Sequence, residues 1–201
     1  MKMAVLASGY GSNLQAIIDA IENGEINGKL EIVVSDKKDA YALERARRHH
    51  IEDHYINPKV FSVRDEFDRA VIALLQERKV DLVILAGFMR LLSPVFVNQF
   101  MGKIMNIHPS LLPSFPGLNG VEQALEYGVK VTGCTVHFLD EGLDTGPVIL
   151  QDTVPVYESD TVETLHERIH SVEHRLYTRA IQLFSQGKLS IEGRKCIINE
   201  G

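Results

Sequence analysis

The sequence predicts an α/β protein: a mostly parallel, twisted sheet flanked by helices, with an antiparallel C-terminal extension. Three observations carry this expectation. Short apolar runs alternate with stretches of helical periodicity through the first half of the chain. One run, residues 80–86 (VDLVILA), is the most continuous apolar segment, the pattern of a parallel strand covered on both faces. In the second half, strand-like segments are joined by tight loops rich in Gly and Pro, and the chain ends in a hairpin pattern.

Taken in order, residues 3–7 (MAVLA) read as a strand ended by Ser8-Gly9-Tyr10-Gly11. Leu14, Ile17, Ile18 and Ile21 recur at helical spacing, with Gly24 just beyond as a stop signal. Residues 30–34 form a second strand, 40–48 a second helix and 51–56 a short third strand. Phe67, Ala70, Val71, Leu74 and Leu75 make the apolar stripe of a third helix, before the strand at 80–86. Such βαβ repetition is Rossmann-like. In the second half a strand at 104–107 runs into a loop dense in proline, residues 108–117. A short helix at 121–127 and strands at 131–139 and 148–156 follow. Leu165, Ile169, Val172, Leu176, Ala180 and Leu183 mark a long helix over 161–185. The tail, 189–199, is a hairpin turning at Gly193.

Composition narrows the function. Of 201 residues, 45% are hydrophobic and 24% charged, as in ordinary soluble globular proteins, which excludes collagen, coiled coil and wholesale disorder. Lys plus Arg number 21 against 27 Asp plus Glu, a net charge of -6. Bulk electrostatics therefore argues against nucleic acid as a partner, while leaving room for a local pocket for a small anion. Cys134 and Cys196 lack CxxC spacing and read as free thiols of a reducing compartment. No apolar run approaches the roughly 20 residues of a membrane span, and no signal-peptide pattern opens the chain. The expectation is a cytoplasmic protein with small-molecule partners, as a monomer or homodimer.

Three segments carry candidate chemistry. Ser8-Gly9-Tyr10-Gly11-Ser12-Asn13 joins a strand to a helix, where backbone N–H groups and the helix dipole favour an anion. A dinucleotide fingerprint needs a third glycine where Leu14 stands, although Asp36 imitates its ribose-binding acid. A single-phosphate site is preferred over that reading and over a merely structural turn. In the second segment, Asn106 and His108 are two residues apart on an extended stretch and so share a face. An amide beside an imidazole suits stabilising an oxyanion while managing a proton. The third is the 140–147 loop, where Asp140, Glu141 or Asp144 is available to pair with His108 and favour its charged form. His166, His170 and His174 imitate a metal ladder, but each helical step of four drifts by about 40°, so the three do not converge on one ion. The basic run from Glu44 to His50 reads as a solvated helix end.

Together, SGYGSNLQAIIDAI, LAGFMRLLSP (85–94), NIHPSLLPSFPG (106–117) and GLDTGPVILQ (142–151) resemble the glycinamide ribonucleotide formyltransferases, over residues 1 to about 185. The last three motifs are shared with other 10-formyltetrahydrofolate enzymes, and the GSN loop points to the phosphorylated acceptor. The resemblance implies a single formyltransferase domain, residues 1–201. Its phosphate-binding half is 1–100 and its catalytic and folate-binding half 101–201. It implies catalytic roles for Asn106, His108 and Asp144. It places the ribonucleotide on Gly11, Ser12, Asn13 and Glu173. The folate falls to Arg64, Met89, Arg90, Leu91, Leu92 and Asn106, with 10-formyltetrahydrofolate as formyl-donor cosubstrate and no metal required. It also implies a cis bond at Leu112-Pro113, and direct transfer with no covalent formyl-enzyme and no nucleophilic role for Cys134. The sequence departs from the family pattern at Asn119, where a histidine is more usual, so no second histidine is assigned near the site. The alternative is a sister activity, a formyltetrahydrofolate hydrolase or a methionyl-tRNA formyltransferase. The extra terminal domains typical of those enzymes are not expected here. A binding module without catalysis and an NAD-dependent oxidoreductase are the readings from other classes.

Overall fold

The computed structural model describes residues 1–199, and the chain packs as two compact units, Met1–Met105 and Asn106–Gly201. The first unit contains β1 (Lys2–Leu6), α1 (Ser12–Glu22), β2 (Lys29–Ser35), α2 (Tyr41–Arg48), β3 (Glu52–Tyr55), a 3-10 turn at Pro58–Val60, α3 (Arg64–Glu77), β4 (Leu82–Leu85) and α4 (Pro94–Gln99). Its strands run in the order β3-β2-β1-β4, every neighbouring pair parallel. Val5 of β1 stands beside Val33 on one side and Ile84 on the other. These interior strands are apolar along nearly their whole length because both faces are covered. Leu14, Ile17 and Ile18 of α1 and Phe67, Val71 and Leu75 of α3 are buried at the spacing that the sequence shows. Helix α4 was not anticipated. Its six residues are too few to show a period, although Pro94 occupies the first turn, where its missing N–H costs nothing.

Strand β5 (Ile104–His108) begins in the first unit and delivers Asn106 and His108 to the second. The second unit continues with α5 (Gly120–Tyr127), β6 (Val131–Phe138), β7 (Val148–Pro155), α6 (Val162–Ser185), β8 (Leu189–Glu192) and β9 (Lys195–Ile198). Strands β6 and β7 are antiparallel, with an irregularity between Val136 and His137. Strands β8 and β9 form the expected antiparallel hairpin, with Gly193 left-handed at its turn. Helix α6 starts at a capping box: Thr161 accepts from the Thr164 N–H, and the Thr164 hydroxyl accepts from the Thr161 N–H. The fold class is thus the expected one, a mostly parallel sheet flanked by helices with antiparallel strands toward the C-terminus. The Leu112-Pro113 bond is cis.

Candidate active site

The first candidate region lies where β1 gives way to α1. Gly11 is left-handed (φ 74°), and a Cβ there would come 3.0 Å from the Cβ of Ala42. Backbone angle and close packing both demand glycine. Gly11 is itself the N-cap, so Ser12 is the first helical residue rather than a cap. The first amides of any helix lack intrahelical acceptors, and α1 carries no acidic residue in its first turn, so an anion is favoured there. Asp36 is 4% exposed and accepts a 2.6 Å hydrogen bond from the Ser8 hydroxyl. It is committed inside the protein rather than offered to a ribose, which removes the main support for a dinucleotide site.

The same Ser8 oxygen accepts from the Met89 N–H at 2.9 Å, fixing the start of the 89–92 stretch. Asp68, buried on α3, accepts from the Ser93 N–H at 2.6 Å and fixes its end. The side chains of Met89 and Leu91 stand exposed between these anchors, and Leu92 is half-buried. With its N–H engaged, Met89 can offer a ligand only its carbonyl or its side chain. The Arg90 guanidinium lies 4.7 Å from the centre of the Phe67 ring, and its buried Nε has no hydrogen-bond partner. A buried, unpaired guanidinium N–H favours a carboxylate in that position. Arg64 opens α3 and is exposed.

The second region is assembled from side chains of the second unit. His108 is 5% exposed. Its Nε2 lies 2.7 Å from the Phe115 carbonyl, which can only accept, and its Nδ1 lies 3.4 Å from Asp144 Oδ2. Both ring nitrogens therefore face acceptors, an arrangement that an imidazolium satisfies. The same Asp144 oxygen accepts from the Gly117 N–H at 2.8 Å. Residue chemistry alone leaves the acid open among three carboxylates; Asp144, the one that the family resemblance implies, is the one that faces His108. Asp140 is occupied with its own loop, accepting from the Gly142 N–H and the Thr145 hydroxyl. Phe115, Asn119 and Asp144 are all left-handed, so backbone strain gathers around this cluster. Asparagine tolerates that conformation better than most residues, which accounts for Asn119 as the start of α5. A Cβ at Gly120 would sit 3.3 Å from His108 Nε2, crowding the imidazole.

One residue of the cluster was missed. His137, on β6, is fully buried, and its Nε2 lies 3.2 Å from Asn106 Nδ2 and 3.7 Å from Asp144 Oδ1. Its Nδ1 lies 2.9 Å from the Phe138 carbonyl and must donate to it. Burial, the largest influence, lowers the His137 pKa from the ordinary value, against the raising effects of the Phe138 carbonyl and Asp144. The ring is therefore neutral with its proton on Nδ1, and Nε2 is an acceptor. That fixes Asn106: its NH2 group donates to His137, its second N–H is left for a ligand, and its carbonyl points elsewhere. The signal was available in the sequence. Thr135 and His137 are polar residues two apart in an apolar strand, as Asn106 and His108 are. Thr135 is the hub below. Its hydroxyl donates to the Ser110 carbonyl and accepts from the Leu112 N–H and the Gln151 amide, pinning the proline-dense loop.

Glu173 is buried on α6, and His170 Nε2 lies 3.7 Å from its carboxylate. Its charge, with burial foremost, helps push the Cys134 thiol up to about 12, so that thiol is a poor nucleophile. The imidazoles of His166, His170 and His174 follow one another along α6, the first pair tilted at 46° and the second nearly parallel at 17°, and burial lowers the pKa of His166 and His170. Among the described residues no group of three or more His, Cys, Asp and Glu is placed to hold a metal ion, and no helix is long and apolar enough to cross a membrane.

Residues 1–181 match the family described as formyl transferase. The chain is similar to the trifunctional purine biosynthetic protein adenosine-3 of Homo sapiens, 48% identical over 99% of this chain and 20% of that protein. It therefore spans about a fifth of the length of that relative. It is similar also to the phosphoribosylglycinamide formyltransferase of Escherichia coli, 46% identical over 95% of this chain and 90% of that one. Among solved structures it resembles glycinamide ribonucleotide transformylase 1 of Symbiobacterium toebii. That match has a TM-score of 0.98 and 52% identity over 100% of this chain and 94% of the other.

Proposed function

The chain belongs to the formyl transferase family, and from that premise we propose that it transfers the formyl group of 10-formyltetrahydrofolate to the glycine amine of glycinamide ribonucleotide, in purine biosynthesis. The observation that carries the chemistry is the cluster of Asn106, His137, Asp144 and His108, in which Asn106 donates to His137 and Asp144 faces a ring nitrogen of His108. The neutral amine attacks the formyl carbon and a tetrahedral oxyanion forms. The unused N–H of Asn106 donates to that oxygen, and His108, charged beside Asp144, stabilises it electrostatically. The bond from carbon to N10 then breaks, the amine gives up a proton and N10 gains one. Phe115 and Asp144 engage both nitrogens of His108, which favours passage of the proton through a water rather than directly.

The remaining assignments follow the same reading. Gly11, Ser12 and Asn13 hold the phosphate of the acceptor, and Glu173 meets the acceptor from α6. Met89, Leu91, Leu92 and Asn106 contact the folate, while Arg90 and Arg64 receive its glutamate carboxylates. A hydrolase remains the competing reading, and one assay separates the two. Absorbance is followed with 10-formyl-5,8-dideazafolate as donor, with glycinamide ribonucleotide or with water alone as acceptor. Turnover that depends on the ribonucleotide is the expected result; equal turnover in water alone makes the protein a hydrolase.

A further inference from the structure

The basic run of α2 does not behave as one solvated helix end. Arg47 and Arg48 are exposed and pair with Asp53 and Glu44, but Arg45 turns the other way. Its Nε donates to the Tyr10 carbonyl at 3.0 Å and its Nη1 to Gln15 Oε1 of α1 at 2.9 Å. Its guanidinium carbon lies 4.5 Å from the centre of the Tyr10 ring and 4.8 Å from that of Tyr41. Those rings stack on each other at 5.2 Å, nearly parallel at 13°. One residue upstream, the Gly9 carbonyl accepts from the Ala42 N–H at 3.1 Å. Helix α2 thus takes up two successive loop carbonyls.

The planarity of the peptide bond gives this a consequence. In a trans peptide the C=O of one residue and the N–H of the next point in opposite directions. Anchoring the Gly9 and Tyr10 carbonyls against α2 therefore aims the Tyr10 and Gly11 N–H groups away from it. We propose that Arg45 is a positioning residue for the acceptor: held flat by Tyr10 and Tyr41, it orients the Gly11 N–H for the phosphate and adds a fixed positive charge behind the loop. This rests on the reading of the loop as the phosphate site.

The test uses the full chain with inorganic phosphate and with glycinamide ribonucleotide, reading the Gly11 and Ser12 amide NMR shifts beside the steady-state kinetics. Arg45→Met keeps the stem but removes the charge and the donors. It should raise the acceptor KM about tenfold, the scale of a charge-assisted hydrogen bond, with the folate KM unmoved. Arg45→Lys keeps the charge without the planar fork and should recover only part of the loss. Tyr41→Leu should shift the acceptor KM the same way, by less. Full recovery in Arg45→Lys would reduce the effect to bulk charge and overturn the proposal. So would an Arg45→Met protein that melts earlier with both KM values unchanged. If phosphate leaves the parent's Gly11 and Ser12 amides unmoved, the loop reading falls and the proposal with it. If those amides move in the parent and equally in Arg45→Met, only the role of Arg45 is lost.

Discussion

The two candidate binding regions are built from opposite materials. The loop at residues 8–13 is a main-chain device: glycine, a left-handed turn and the start of a helix, with side chains serving mostly to hold the backbone in place. The cluster in the second unit is a side-chain device, in which Asn106, His108, His137 and Asp144 are each buried or half-buried and each oriented by a neighbour. A backbone device recognises charge and tolerates changes of side chain, provided that the turn survives. A side-chain device positions single protons, and one altered atom disables it.

The largest effect should come from the charge at the centre of the side-chain cluster. Asp144→Asn keeps the shape and removes the carboxylate facing His108 and His137. The turnover number should fall by roughly 10²-fold or more, with the acceptor Kd little changed. Near-parental turnover would mean that the cluster is not where the chemistry happens. His137→Phe preserves an aromatic ring but removes the acceptor that fixes Asn106. We expect kcat to drop by between about tenfold and a hundredfold at similar KM values, the usual scale for misplacing a reacting group. A change confined to KM would instead place Asn106 and His137 in binding.

The main-chain device should break differently. Gly11→Val introduces a side chain against Ala42 in a left-handed turn. Acceptor affinity should fall by about tenfold, the scale of forcing an ordinary residue into that conformation, while folate affinity holds. Calorimetric titration of both ligands decides it, since equal losses would make the loop merely structural.

The smallest effect is on stability. Burial keeps the His137 pKa below the ordinary value of about 6.5, with Asp144 and Asp140 opposing and His108 reinforcing that shift. Below about pH 6.5 the unfolded chain binds a proton at this position that the folded chain does not. Stability present above that pH therefore drains away as the pH falls. Urea unfolding between pH 8 and 5 should show the parent losing more stability than His137→Phe as the pH falls. Identical slopes would mean that burial does not hold the folded ring neutral, and the orientation assigned to Asn106 would lose its support.

What was legible in the sequence follows the same division. Glycines announce a backbone device directly, because few other residues permit the turn. Asn106 and His108 were found by alternation along a strand, and the rule that found them applies equally to Thr135 and His137. His137 was passed over because its run reads as core, and its partner lies on another strand, where no spacing rule reaches. Arg45 was hidden for a helical reason. It lies three residues from Ala42 and four from His49, on the face turned to α1 and the loop, while its basic neighbours Arg47 and Arg48 face water. Spacing does not separate Asp144 from Asp140 and Glu141; the motif match named it, and its contacts with His108 and the Gly117 N–H agree.

The side-chain cluster has a property of inheritance as well as of chemistry. All four of its members fall between Asn106 and Asp144, on β5, β6 and the loop after β6, so a single uninterrupted stretch of chain carries the whole cluster proposed to handle the formyl group. The loop assigned to the acceptor's phosphate lies far upstream, within residues 8–13. One segment can thus be copied, grafted or left untouched while the other drifts. A lineage that exchanges its acceptor would rewrite the early loop and keep the later stretch intact, whereas Asn106 and His137 change safely only together.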